Sequence, residues 1–358
     1  MSSPESAGQD VRQPPAKRRR QDSDETPENS HGARTSITRS ADVWMQDGNI
    51  VLIADKKVAF RVHRGILARH SPVFSDALEI PQPEDVESYD GCPVLGISDL
   101  PADVSCLLQA LYDGIRFKPL RPRVPAAFVS HAILLELSHK YDIEHLREEA
   151  HSRLKSCFPH QFSDLHSTVA FSSKPSAGCI LKSSTLEVQE SRDAIRAVSL
   201  VRLVDDHRML PMALYLCTQL PVATLLKGIR RPDSERKDTL SRQDLIRCLE
   251  ARSTLSERAY KKWARIWRTH LTDDCYSPSQ CHSIRMAKAN AVIIRPAADT
   301  PPHPLLSMED VIRGAGLCTS CVDALMAEDS EEIRLVWEKL PDDFKVEVPE
   351  WDSSDSSA

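Results

Sequence analysis

The chain has 358 residues, of which 41% are hydrophobic and 27% are charged, and its formal net charge is −6. These values are typical of a globular protein of about two domains, and the modest negative charge excludes a nucleic-acid footprint over the whole chain. No run of about eighteen apolar residues occurs, so no transmembrane helix is expected. The N-terminus lacks the apolar core of a signal peptide. We therefore expect the ten cysteines to lie in a reducing compartment, as free thiols or metal ligands.

The N-terminal segment, residues 1–40, is rich in Ser, Pro and charged residues, so we expect a disordered tail. A run of four cations lies inside it: Lys17, Arg18, Arg19 and Arg20. Such a run in an accessible arm is typical of a nuclear-import signal. Two alternatives stay open, a solvated charge run without a function and direct contact with nucleic acid. The acidic stretch Asp22–Glu28 follows at once and would weaken phosphate binding, which makes nucleic-acid contact the least favoured.

The first patterned segment predicts a β-hairpin followed by helices. Two short apolar runs, Ile50–Ala54 and Val58–Val62, are separated by the polar triplet Asp55–Lys57, which is hairpin chemistry. Farther along, Ser71 stands directly before Pro72, the residue types that are favoured at an N-cap and at the first helical position. The sequence therefore predicts the order strand, strand, helix, helix.

More elements follow in the same region. A third strand is predicted from Gly91 to Leu95, ending near Asp99. A helix that begins at Pro101 carries apolar residues at three- and four-residue spacing and stops at Gly114, which supplies a C-terminal signal. Two further helical faces come next: Phe128–His139, and a stretch with Ile143, Leu146, Ala150 and Leu154. The inner faces of the predicted helices place Leu67, Phe74, Leu108 and Leu111 in the core.

Five fragments occur in this order: DGNIVL, FRVHRGILARHSPVF, GCPV, LLQALYDG and LSHKYDIEHLREEA. Together they resemble a BTB/POZ domain, of the type abundant in mushroom-forming (basidiomycete) fungi. The resemblance covers residues 41–158 and implies an α+β fold, a small sheet covered by helices, which binds other proteins and carries out no chemistry. The signature residues that it implies are Asp47, His63, Arg64, Leu67, Ser71 and Phe74. Asp47 is implied to line a shallow charged pocket at a dimer groove, and His63 to support the strand–helix junction.

The remainder of the chain divides by composition. Residues 159–190 have loop composition, which predicts an insertion relative to the family pattern. Residues 191–345 carry apolar positions at helical spacing, which predicts a mostly α-helical C-terminal region. Within it, Ser241 and Asp244 resemble a helix-capping pair. Residues 346–358 are predicted to be a disordered acidic tail.

Basic residues flank two tryptophans in the helical region, at Trp263 and Trp267. The basic residues are Arg258, Lys261, Lys262, Arg265 and Arg268. Interleaved basic and aromatic residues are one pattern of nucleic-acid binding. A solvated basic helix face above an aromatic core stripe is the favoured interpretation.

The late cysteines form the candidate metal site: Cys275, Cys281, Cys318 and Cys321. The second pair is a CxxC before a predicted helix, and thiolates in two pairs suit tetrahedral zinc. The first pair is spaced more widely than is usual, and the loop between the pairs is long. Cysteines that bind no metal and redox-active cysteines are the two alternatives, and His282 is an alternative ligand to Cys281.

No fingerprint of an enzyme is found, since the chain has no GxSxG, HExxH, GxxxxGK[ST] or GxGxxG. We therefore expect a non-catalytic protein. Structural zinc is the one cofactor that the sequence suggests. The family resemblance implies protein partners, through self-association or a heterologous partner, and a role as a substrate adaptor for a cullin-type ubiquitin ligase. The alternative is a nuclear transcription-associated scaffold or oligomerisation protein, and a metal-dependent enzyme is least favoured. We expect nuclear or nucleo-cytoplasmic localisation, no membrane association and no direct nucleic-acid contact.

Overall fold

The computed structural model describes residues 37–80, 88–121, 126–171, 179–231, 236–270, 272–294, 303–349 and 351. The four cations of the predicted import signal lie outside these residues. The first part of the described chain is a sheet with helices packed on it. In chain order its elements are β1 (Thr38–Trp44), β2 (Ile50–Ala54), β3 (Val58–Val62), α1 (Arg64–His70), α2 (Pro72–Glu79), β4 (Ser88–Tyr89), β5 (Cys92–Ile97), α3 (Pro101–Asp113), β6 (Ala126–Ala127), α4 (Phe128–Lys140) and α5 (Glu144–Lys155).

The first five strands form one sheet in the order β1-β3-β2-β5-β4. Strands β2 and β3 are the predicted hairpin, with Ile50 opposite Val62. Asp55 and Lys56 both have positive φ, at 46° and 57°, as the tight turns that match the twist of a hairpin require. The predicted hairpin is therefore confirmed with its predicted bounds.

Helix ends in this part follow local chemistry. Ser71 is the N-cap of α2 and accepts a hydrogen bond from the backbone N–H of Phe74 at 3.0 Å, with Pro72 in the first turn. Helix α3 starts at Pro101 and stops at Gly114, whose φ of 51° few other residues adopt. Both predicted helix boundaries are confirmed.

The predicted core residues are buried with one exception. Leu67 and Leu108 are 0% exposed, and Phe74 is 2% exposed. Leu111 is only partly buried, because it lies in the last turn of α3 next to the exposed Asp113. The prediction that Leu111 is a buried core residue is therefore wrong.

The segment 159–190 differs from the predicted loop, because it contains α6 (Phe162–Thr168), β7 (Val169–Phe171), β8 (Cys179–Lys182) and β9 (Leu186–Gln189). These strands form a second sheet in the order β6-β9-β8-β7, in which Ala126 pairs with Leu186. Leu181, Leu186 and Val188 are fully buried. Strands of three or four residues show too few alternating positions to reveal their period in the sequence.

The remaining elements confirm a mostly helical C-terminal region. They are α7 (Glu190–Val204), α8 (Leu210–Gln219), α9 (Val222–Lys227), β10 (Ile229–Arg230), β11 (Lys237–Asp238), α10 (Arg242–Arg268), α11 (Pro278–Ile294), α12 (Glu309–Arg313), α13 (Thr319–Glu338) and α14 (Leu340–Asp343). Every residue of α8 is buried, which places this helix in the interior. Ser241 caps α10 as predicted, accepting from the backbone N–H of Asp244 at 3.1 Å. No helix of the described residues is long and apolar enough to cross a membrane.

One hydrophobic core joins the two parts of the chain and runs from Val43 to Phe344. Helix α4 packs against α7, and Glu136 on α4 accepts two hydrogen bonds, at 3.0 and 2.9 Å, from Arg196 on α7. Val346 packs against the same core, and the Trp351 ring stacks on Trp337 with 4.5 Å between ring centroids. The predicted acidic tail from residue 346 therefore includes side chains that contact the core, because Val346 and Trp351 find partners there.

A smaller hydrophobic cluster, the second core, lies where α10 to α13 meet. Its buried residues are Ile266, Trp267, Ala289, Met308, Ile312 and Leu325. Trp267 is fully buried, which agrees with the predicted aromatic stripe. The neighbouring basic face is not wholly solvated, because Lys262 is only 3% exposed and pairs with the buried Asp329 at 2.9 Å. The interpretation of Lys262 as a solvated residue is therefore wrong.

Candidate functional site

Asp47 and His63 form a charged corner of the first sheet, at the end where β2 begins and β3 finishes. His63 Nε2 lies 3.2 Å from Asp47 Oδ1, and the Asp47 side chain is largely exposed. The backbone N–H of His63 donates to the Tyr112 hydroxyl at 2.9 Å, and His63 Nδ1 lies 3.0 Å from the same oxygen. A backbone hydrogen bond and then His63 lower the pKa of Asp47. Asp47 therefore presents a carboxylate at a surface whose geometry Tyr112 fixes.

Arg64 closes the same corner from the start of α1. Its backbone N–H donates to Asn49 Oδ1 at 2.8 Å, and its guanidinium donates to the carbonyl oxygen of Leu78 at 2.6 Å. Arg64 thus ties the strand–helix junction to the end of α2. Both contacts of Arg64 stabilise the backbone, at the strand–helix junction and at the end of α2, which is a structural role.

Leu67, Ser71 and Phe74 point into the protein. The Ser71 hydroxyl donates to the carbonyl oxygen of Tyr141, and the Phe74 ring stacks on the Tyr141 ring at 4.3 Å between centroids. Leu67 is fully buried beside them. These three residues fix α1 and α2 against the end of α4. They hold the helices next to the Asp47–His63 corner in place and are not themselves exposed.

The four late cysteines come from two separate stretches of chain. Cys275 lies in the turn after α10, and Cys281 lies in the first turn of α11. Cys318 is the N-cap of α13, and Cys321 lies in its first turn. Gly316, with a φ of 81°, makes the turn that brings the second pair toward the first.

The structure brings the four cysteine sulfurs together, within 4.8 Å of one another. Cys275 Sγ and Cys318 Sγ are 3.7 Å apart. Zinc–sulfur bonds of about 2.3 Å in a tetrahedron place sulfurs about 3.8 Å apart, so the cluster has the dimensions of a tetrathiolate metal site. Four protein ligands would complete the coordination of a bound metal and leave no position for a substrate, as in structural sites.

Backbone N–H groups donate hydrogen bonds to the cysteine sulfurs and stabilise their anionic form. Hydrogen bonds from the backbone N–H groups of Cys321 and Tyr276 lower the pKa of Cys318 to about 6. The N–H of Cys318 in turn donates to Cys281 Sγ at 3.4 Å. Burial acts in the opposite direction on Cys275 and raises its pKa to about 12. The thiolate is the form that binds a metal, so Cys318 is the member most readily available to one.

His282 stays outside the cluster. Its side chain is exposed, whereas the adjacent Cys281 is fully buried among the other sulfurs. Cys281 therefore occupies the fourth position, and the alternative ligand that the sequence leaves open is on the surface. The nine cysteines whose side chains are described are free thiols, with no disulfide among them.

Comparison with known families addresses the first part of the chain. A family model described as the BTB/POZ domain matches residues 45–157. This segment is a BTB/POZ domain. The BTB domain spans β2 to α5 and carries the Asp47–His63 corner, and BTB domains are protein-interaction modules. No curated protein matches the chain, and the cysteine cluster lies outside the BTB match.

Two residues that shape these sites were missed in the sequence. Tyr112 supports His63 from α3, and no local pattern links positions so far apart. Arg285 lies beside the cysteine cluster on α11 and is 4% exposed. Its four-residue spacing from Cys281 was a usable signal, because residues at that spacing share one face of a helix.

Proposed function

We propose that this protein is a non-catalytic substrate adaptor for a cullin-type ubiquitin ligase. The BTB domain binds the ligase, and the C-terminal helical region binds the substrate. The observation that carries this proposal is the BTB/POZ match over residues 45–157. The fragments of the BTB domain resemble those of the BTB proteins that are abundant in mushroom-forming fungi, and we propose a basidiomycete-type origin on that ground.

The BTB domain has an apolar surface that suits a protein partner. Within its described part, Val73 and Ile80 are large hydrophobic side chains that are 42% and 63% exposed. Val73 lies on α2, and Ile80 directly follows that helix. Apolar side chains of this kind form the centre of protein interfaces, and polar groups form the rim. We therefore propose the α2 face as the contact surface, with the Asp47–His63 corner as a polar neighbour.

A second candidate function is a nuclear scaffold or oligomerisation protein without a role in ubiquitin transfer. The observation that favours it is the cationic run Lys17–Arg20, which is typical of an import signal. The proposed localisation is nuclear or nucleo-cytoplasmic for both functions. They differ in what the BTB domain binds.

The test is capture of the tagged full-length protein from nuclear and cytosolic extracts, with partners identified by mass spectrometry. The surface variant is Val73→Asp with Ile80→Glu. The matched control is Val222→Asp with Leu226→Glu in α9, because those side chains are 44% and 61% exposed. The adaptor proposal predicts that a cullin is recovered by the wild type and by the control, and is lost by the surface variant.

Other results of the same experiment would contradict the adaptor proposal in different ways. Recovery of chromatin proteins without a cullin would favour the scaffold. Self-association alone, measured by light scattering on the purified chain, would favour an oligomerisation protein. A folded monomer that recovers no partner would reject the interaction proposal.

The cysteine cluster is proposed to hold one structural zinc ion. Its support is that all four sulfurs lie within 4.8 Å of one another, and that the 3.7 Å between Cys275 Sγ and Cys318 Sγ is close to the sulfur separation of about 3.8 Å in a zinc tetrahedron. Zinc in this position would join the starts of α11 and α13 beside the second core. A core of six buried residues is small, and metal ligation commonly stabilises such modules.

Metal analysis tests the zinc proposal directly. Protein prepared without chelator should contain about one zinc per chain, and chelation should destabilise the second core. Cys281→Ser should lose the metal, whereas His282→Ala should retain it, because only Cys281 lies in the cluster. Zinc far below one equivalent in the wild type, or equal loss in the two variants, would reject the proposal.

A further inference from the structure

Arg285 is a buried cation without an acidic partner among the described residues. It is 4% exposed, and no carboxylate of the described chain lies within ion-pair distance of its guanidinium. Its guanidinium donates to the carbonyl oxygens of His270, at 2.9 Å, and Thr269, and its Nε–H has no hydrogen-bond partner within the described part of the chain. A buried charge is costly unless a nearby opposite charge compensates it.

The cysteine cluster, which includes Cys281 on the same helix, carries such a charge when its thiols are ionised. Arg285 follows Cys281 by four residues on α11, so the two side chains lie on the same face of the helix. Burial lowers the pKa of Arg285, and negative charge on Cys321, Cys281 or Cys275 acts in the opposite direction. Anionic sulfur in the cluster would therefore stabilise the buried guanidinium.

A divalent ion with four thiolates carries a net charge of −2, and two of the four cysteines here, Cys281 and Cys321, are buried. We infer that Arg285 is the counter-charge of the metal–tetrathiolate centre and a determinant of its metal affinity. This inference rests on the zinc site of the proposed function. Neutral thiols without a metal would give the guanidinium no full negative charge to oppose, and the buried arginine would then be compensated only by the helix end that it contacts.

The two carbonyl contacts fix where the charge sits. Thr269 and His270 follow the last residues of α10, where unpaired carbonyl groups carry about half a negative charge. These contacts hold the guanidinium at the end of α10, just before the segment that carries Cys275, and Arg285 acts on the ligands through its charge.

The chain supplies a matched control in Arg252. Its guanidinium also donates to two carbonyl oxygens at the end of a helix, that of Thr218 in the last turn of α8, at 2.9 Å, and that of Leu220, the C-cap of α8. Arg252 is half-buried and remote in sequence from the four cysteines. If Arg285 acted only as a cap of the helix end, the two arginines would be equivalent in a metal-binding assay.

The experiment titrates Zn²⁺ against a competing chromophoric chelator in the full-length protein, and repeats the titration with Co²⁺ to follow thiolate coordination by absorption. Arg285→Met should lower zinc affinity about 10–100-fold, the usual effect of losing an outer-shell partner. Arg285→Lys should recover most of the loss, and Arg285→Gln should not, because glutamine keeps a donor and lacks the charge. Arg252→Met should leave zinc affinity unchanged.

The outcomes separate this inference from the zinc proposal. A wild-type protein that binds neither ion would reject the metal site and the inference with it. A wild-type protein that binds zinc while Arg285→Gln binds it equally well would overturn the inference and leave the metal site standing. If Arg285→Met fails to fold, the comparison of Arg285→Lys with Arg285→Gln still decides, because both keep a long polar side chain.

Discussion

Replacing Lys262 with Met should destabilise the C-terminal region far more than the same change at the adjacent Lys261. Lys262 and Asp329 form a buried pair, with side chains 4% and 1% exposed and 2.9 Å between Nζ and Oδ1. Lys261 pairs with Glu257 on the surface of α10, where the two side chains are 71% and 62% exposed. The two lysines thus give the same substitution in opposite environments.

The expected loss of stability depends on which polar groups each substitution leaves without a partner. Without Lys262, Asp329 keeps only the Ser307 hydroxyl and the backbone N–H of Met308, at 3.0 and 2.8 Å, to solvate a buried charge. The carbonyl oxygens of Pro304 and Leu306 also lose their donor. Breaking a buried pair from one side costs about 3–5 kcal/mol. Loss of the exposed Lys261 pair should cost far less, because solvent screens the two charges.

Native-state hydrogen exchange on the full-length protein measures the effect where it arises, as the opening free energy of amides in α12 and α13. The double variant Lys262→Met with Asp329→Asn should recover part of the loss, because the stranded charge is then removed. If Lys262→Met changed the opening free energy no more than Lys261→Met, the buried-charge reasoning would be refuted.

Three further predictions concern the BTB domain and the N-terminal segment. Phe74→Ala should lower the free energy of unfolding by about 3–5 kcal/mol in thermal unfolding of the full chain, because Phe74 is buried. Val73→Ala should change it by no more than about 0.5 kcal/mol, because Val73 is exposed. Equal effects of the two variants would contradict this packing. Burial, aided by Arg153, lowers the pKa of His131 to about 4. Below about pH 6.5 the unfolded chain therefore binds a proton at His131 that the folded protein does not bind. Up to about 3 kcal/mol of stability is lost as the pH falls from 6.5 toward 4. Urea unfolding of His131→Leu should show a shallower pH dependence in that range, and an unchanged slope would exclude His131 as its source. Alanine at Lys17–Arg20 should shift a fluorescent fusion out of the nucleus, and an unchanged distribution would mean that the run is only solvated.

The elements that the sequence predicted well depend on chemistry within a few residues. The hairpin at Asp55–Lys57 and the caps at Ser71 and Ser241 each need only short-range signals, and all three appear in the structure. The order of fragments in the BTB domain adds long-range information that no single pattern contains, because it specifies how the strands and helices assemble.

The features that escaped prediction depend on contacts between distant residues. Lys262 has the helical spacing of a solvated basic face, and only the approach of Asp329 on α13 shows that it is buried. The cysteine spacing indicated two pairs, but their convergence depends on how α11 and α13 meet. Tyr112 supports His63 across 49 positions, a distance at which one sequence gives no signal.

The continuity of the core from Val43 to Phe344 has a consequence for synthesis in the cell. At about 5–20 residues per second, a ribosome needs roughly 10–40 s to add the approximately 190 residues between the BTB domain and Phe344. Helix α4 lies in the BTB domain and is synthesised before its partner α7. Glu136 and the apolar side chains around it therefore have no partner until α7, with Arg196, has left the ribosome. The nascent chain therefore exposes apolar surface that the finished protein hides. Substitutions on this face of α4 would lower the yield of soluble protein through chaperone capture and aggregation during translation, even where they cost the native state little.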